Sequence, residues 1–166
     1  MIDRTLDGSH NARRIDRLLA EYGESHQNPL NKAIHWIAVP VIAWTVLALL
    51  SEVSAPAAFR PAWLVNWATL AALLATLYYF TLSIPLALGM AVFSVLSFVV
   101  MGLCRAAIPL PLWQLALAVF VVAWVFQFIG HKVEGKKPSF FKDIQFLLIG
   151  PAWLLHYIYR LFGVRY

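Results

Sequence analysis

The 166-residue chain is 61% hydrophobic and only 13% charged, with a formal net charge of +5 at pH 7. A soluble domain carries roughly 45–50% apolar and about 25% charged residues, so a water-soluble globule, which would have to hide this much oil, is a poor fit. Cys104 is the single cysteine, which rules out an intrachain disulfide framework. The expectation is an all-α integral membrane protein with one domain over residues 1–166.

In chain order, residues 1–33 are polar and charged and contain no apolar leader. Within them Ile15, Leu18, Leu19 and Tyr22 recur at helical spacing among Arg13, Arg14 and Arg17, predicting an amphipathic helix. That helix either lies on an anionic leaflet or packs on the end of the bundle. Four apolar runs without Asp, Glu, Lys or Arg follow: Ile34–Leu50, Trp63–Phe80, Ile84–Leu103 and Leu112–Gly130. Each is close to the length of about 20 residues that crosses a bilayer. Pro40 is expected to kink or break the first span. The Thr81–Ser83 link is short enough to make spans two and three an antiparallel hairpin.

The last apolar stretch, Ile144–Phe162, is interrupted by Gly150–Pro151 and contains Gln145, His156 and Arg160. Charge counting bears on its placement. With four spans and a cytoplasmic N-terminus, the inner side receives Arg4, Arg13, Arg14, Arg17, Lys32, Lys132, Lys136, Lys137 and Lys142. The outer side keeps only Arg60 and Arg105, in line with the positive-inside rule. A fifth complete span would export Arg160 and Arg165, so a broken, re-entrant or interfacial C-terminal segment is predicted. Residues 131–166 then form a cytoplasmic loop and that segment. Because the basic residues flank spans, they are assigned to orientation and membrane lipid and not to nucleic acid.

The chemistry is sought among five histidines. His10 lies in the polar N-terminal segment and is read as incidental. His26 and His35 bracket the start of span one in YGESHQNPLNKAIHW, and His131 stands at the end of span four in QFIGHKVEGKKP. Spans one and four run in opposite directions, so these three histidines are expected at one membrane surface. Neutral imidazoles gathered there suit Fe, Zn or Cu. His156 reaches the same place if the C-terminal segment folds back; otherwise it is a satisfied core histidine.

Local spacing refines this arrangement. Asn28 is a good helix cap and Pro29 a good first helical residue, which leaves His26 in the preceding turn. Asn31 and His35 share a helix face, as do His131 and Glu134 if the fourth helix continues by a turn. Glu134 is then either a ligand or a group that orients an imidazole, with Asn28 and Asn31 as further supporting candidates. A single boundary histidine is ordinarily just a polar interfacial residue; three converging ones with these partners point to a site. Walker, dinucleotide, GxSxG and HExxH motifs are all absent.

The segments YGESHQNPLNKAIHWIAVP, with an HxNxxNxxxH core, and WVFQFIGHKVEGKKPSFFKDIQFLLIGP resemble the iron-dependent 2-hydroxy fatty acid dioxygenases. The resemblance covers roughly residues 22–42 and 120–155, while the middle spans match in hydropathy alone. It implies alpha-oxidation: a long-chain 2-hydroxy fatty acid reacts with O2 and yields an acid one carbon shorter. It further implies Fe(II) as cofactor, with His26, His35 and His131 at the motif histidines and His156 as fourth ligand. Many relatives carry Glu one residue after that position, where this chain has Tyr157. Fungal members act at the endoplasmic reticulum, so that membrane is implied for a eukaryotic protein and the inner membrane for a bacterial one.

Three other classes stay open at this point. Paired histidines in a helical bundle also hold haem in membrane cytochromes. A transporter with a histidine proton relay is a second class, opposed by the charge-free spans. A structural membrane protein whose histidines bind nothing is the third.

Overall fold

The computed structural model describes residues 13–54, 66–135 and 143–166. His10, the start of the expected second span at Trp63, and Lys136, Lys137 and Lys142 lie outside those residues. The described residues form six helices and no strand: α1 (Arg14–Glu24), α2 (Pro29–Glu52), α3 (Trp67–Phe80), α4 (Ile84–Ala107), α5 (Leu112–Glu134) and α6 (Asp143–Leu161). The all-α expectation holds.

Three of these helices, α2, α4 and α5, are long and apolar enough to cross a membrane. Their outer faces are apolar and exposed: Ile37 of α2 is 72% exposed, Val95 of α4 62% and Val122 of α5 55%. Apolar surface of that extent marks contact with lipid or another protein, not with water. The described part of the expected second span is the shorter apolar helix α3, of 14 residues. It joins α4 in the expected tight hairpin, with Ser83 capping α4 by accepting from Leu86 N.

Neither expected break ends its helix. Pro40 does not end α2, which runs through it as one helix of 24 residues. Proline removes one ladder hydrogen bond, and the packing of Ala38, Val39 and Ile42 on both sides keeps the helix together. Likewise α6 runs through Pro151 without a break, which corrects the reading of Gly150–Pro151 as an interruption. At Gly150, a Cβ would come within 3.0 Å of the Tyr22 hydroxyl and 3.1 Å of Val39 Cγ1. The glycine is therefore a contact point for three helices.

The packing has three centres, one of them Tyr79, Ala87, Met90 and Ala152 joining α3, α4 and α6. Ile15, Leu19, Tyr22, Val39, Leu86, Ile149, Trp153 and Leu154 form a core that joins α1, α2, α4 and α6. The apolar face of α1 is thus spent on the bundle's end, the second of its two expected placements. At the other end, Ala48, Met101, Leu112 and Ala116 bind α2 to α4 and α5. The most extensive pairing is α2 with α5.

A candidate metal centre at one end of the bundle

The α2–α5 pair is antiparallel, so the first turns of α2 meet the last turns of α5. Small residues allow the close approach: a Cβ on Gly130 would collide with Asn31 Oδ1. This brings His35 of α2 and His131 of α5 together, with ring centroids 5.1 Å apart. Asn28 caps α2 by accepting from Leu30 N at 2.9 Å, and Pro29 opens the helix, as expected. His26 therefore sits in the turn before α2, and its ring centroid lies 4.3 Å from that of His35 and 5.8 Å from that of His131. One ligand atom from each of the three falls within 4.8 Å of the others. His26 and His35 are buried, at 3% and 1% exposure.

The hydrogen bonds fix how two of these rings are protonated. His26 Nδ1 lies 2.6 Å from the Tyr22 carbonyl and His35 Nδ1 2.9 Å from the Asn31 carbonyl. A carbonyl only accepts, so each Nδ1 carries the proton and each Nε2 keeps its lone pair. Metal-binding histidines are oriented in the same way, through the nitrogen that does not bind. Both acceptors lie four residues back in sequence. The His26 ring also stacks on Tyr22, with centroids 4.2 Å apart and planes 11° from parallel, and Trp153 covers it at 5.4 Å. Burial pushes the His26 imidazole down to about 4, so it is neutral and able to ligate at pH 7.

Glu134 clamps the turn that carries His26. Its carboxylate accepts from Gln27 N at 2.8 Å, Asn28 N at 2.9 Å and Asn31 Nδ2 at 3.0 Å. One side chain at the end of α5 thereby ties down the start of α2. Asn31 Nδ2 also reaches the Ser25 carbonyl at 3.2 Å. Of the two expected roles for Glu134, this geometry displays orientation.

His156 stands apart from the three. It is half-buried on α6, its Nδ1 against the Tyr166 hydroxyl and its ring against Tyr157. The reason is the direction of α6 along α1. Trp153 lies against Tyr22 near the cluster, whereas the Tyr166 ring that meets His156 lies under Arg13, at the start of α1. Tyr22, Gly130 and Trp153 are supporting residues that sequence reading did not single out for the site. Their signals were present as the i−4 spacing of Tyr22 to His26 and the glycine directly before His131.

The donor set fits a metal ion. Imidazole–metal bonds are about 2.0–2.1 Å long, so donors this close share one ion after ring movements of about an ångström or less. His26 Nε2 and His131 Nδ1 are both buried with no hydrogen-bond partner among the described residues, an arrangement that is costly unless something binds there. Rings in such close mutual contact leave no slot for a porphyrin between them, which argues against haem.

Fold and site together define an all-helical protein of membrane type with a three-histidine centre at one end of its bundle. A family model described as 2-hydroxy-palmitic acid dioxygenase Mpo1-like matches residues 12–161, and the chain belongs to this Mpo1-like family. It is similar to a Saccharomyces cerevisiae protein named 2-hydroxy-palmitic acid dioxygenase MPO1, at 27% identity over 139 residues. That match spans 82% of this chain and 75% of the yeast protein. No solved structure matches.

Proposed function

We propose that the protein is a non-haem Fe(II) dioxygenase that converts a long-chain 2-hydroxy fatty acid and O2 to the acid one carbon shorter. The carrying observation is the convergence of His26, His35 and His131, with His26 Nε2 and His131 Nδ1 buried and without a hydrogen-bond partner among the described residues. Family membership supplies the substrate class, since the yeast relative is named for 2-hydroxypalmitic acid.

The proposed reaction balances. R–CH(OH)–COOH and O2 give R–COOH, CO2 and water; the substrate's carbon–carbon and carbon–hydrogen bonds supply all four electrons that O2 takes up. No separate reductant is required. Bound Fe(II) would supply O2 activation and a Lewis acid for the hydroxy acid. His26, His35 and His131 would hold it, and three imidazoles leave coordination positions for substrate and O2. Glu134 and Asn31 position the turn and the ring of His35. His156 as a further ligand would require α6 to move relative to α1.

The proposed topology has four spans, α2 to α5, with the N-terminus and the histidine end cytoplasmic. Its support is the distribution of Lys and Arg in the sequence and the lipid-type faces of the helices. In that setting α6 is interfacial or re-entrant, and the acyl tail enters from the bilayer while the polar head meets the histidines. The membrane would be the inner membrane in a bacterium and the endoplasmic reticulum in a eukaryote.

The test is direct. Protein purified in detergent, loaded anaerobically with Fe(II) and given 2-hydroxypalmitate and O2, is expected to consume O2 and release pentadecanoic acid. No O2 uptake and no shortened acid would remove this reading for that substrate.

A further inference from the structure

Gln127 is a polar residue buried at 9% exposure in the middle of an apolar helix, and its Oε1 has no hydrogen-bond partner among the described residues. It belongs to the buried stripe Leu112, Ala116, Ala123, Gln127 and Gly130 that α5 turns toward the interior. Register places it at the metal centre. Asn31 meets Gly130 at one end of the α2–α5 pair, and Ala48 meets Leu112 and Ala116 at the other. Antiparallel helices in that register put Gln127 opposite His35, and His131 follows it by four residues on the same face of α5.

Gln127 is therefore level with His35 and one turn deeper than His131, toward the apolar middle of the bundle. An acceptor stripped of water in such a place is costly unless a ligand supplies the missing donor. A 2-hydroxy fatty acid lying with its head at the histidines and its tail toward the hydrocarbon passes this level with one hydroxyl hydrogen to donate. The geometry points to Gln127 as the residue that selects 2-hydroxylated over unsubstituted fatty acids, its Oε1 accepting the hydrogen of the 2-hydroxyl. This rests on the substrate class proposed above. The hydroxyl oxygen keeps its lone pairs for the histidine centre, and the unsubstituted acid leaves Oε1 unpaired, which penalises its binding.

The test is anaerobic equilibrium binding to the full-length, iron-loaded protein in nanodiscs, comparing 2-hydroxypalmitate, 2-methoxypalmitate and palmitate. The wild type is expected to prefer the 2-hydroxy acid over both. Gln127→Met and Gln127→Leu keep an apolar helix without the acceptor. In these variants the preference over palmitate is expected to fall about ten-fold, with iron content close to wild type. Wild-type preference for the 2-hydroxy acid that survives unchanged in both variants, or that 2-methoxypalmitate shares in full, overturns the role of Gln127 and leaves the proposed activity standing. A wild type that binds palmitate and 2-hydroxypalmitate equally contradicts the substrate class itself.

Discussion

The two ends of the bundle solve the same problem in opposite ways. At the far end, Arg105 donates to Ser51 Oγ at 2.9 Å and to Glu52 at 2.7 Å, so charge meets countercharge and is closed off. At the near end, Glu134 is satisfied by three amide donors, but His26 Nε2 and His131 Nδ1 are buried with no partner among the described residues. Unmatched buried groups persist where they serve something other than stability. What distinguishes the near end is unmatched polarity gathered on converging imidazoles, and not polarity alone.

That contrast can be broken experimentally, beginning with the largest effect. Alanine at His26, His35 or His131 is expected to lower O2-dependent turnover by more than about 100-fold, above the loss typical of residues that merely orient ligands. His156→Ala is expected to leave turnover within a few-fold of wild type, because its ring is occupied with Tyr166 and not with the cluster. Turnover lost equally in all four variants would return His156 to the ligand set.

Glu134→Gln comes next. It keeps the size of the side chain but replaces one carboxylate oxygen by an amide donor facing the donors of Gln27, Asn28 and Asn31. A decrease of roughly 10- to 100-fold in iron affinity is expected, read by competition with a chelator. Unchanged affinity would show that the turn holds His26 without the clamp.

Gly130→Ala tests the close approach. Its Cβ would meet Asn31 Oδ1, and the resulting strain is expected to cost about 1–3 kcal/mol, seen as a lower thermal midpoint together with weaker iron binding. The smallest effect belongs to the far end. Arg105→Met removes a partly exposed ion pair worth about 0–1 kcal/mol, and iron content is expected to be unchanged.

Much of this was legible in the sequence because it depends on local rules. Asn28 before Pro29 specifies a helix start, and charge-free runs specify the long apolar helices α2, α4 and α5. Opposite span directions then bring His35 to His131 across about 100 residues of chain. His156 was not legible in this way. Its position depends on how α6 lies along α1, which follows from the joint packing of Ile15, Leu19, Tyr22 and Trp153 and from no local pattern. A break at Pro40 or Pro151 is not made for the same reason: proline removes a hydrogen bond locally, while contacts on either side of it hold the helix together. The carbonyls that orient His26 and His35 belong to the backbone, which residue identities do not announce. Gln127 was visible only as one polar letter in an apolar run until its burial and the register of α2 against α5 gave it a place.

The most direct test of the three-histidine centre is the iron content of anaerobically purified protein, wild type beside His35→Ala, with Arg105→Met as the control from the far end. The account predicts iron in the wild type and in Arg105→Met and none above background in His35→Ala. A wild type that takes up no iron, or a His35→Ala protein that retains the wild-type amount, would contradict it.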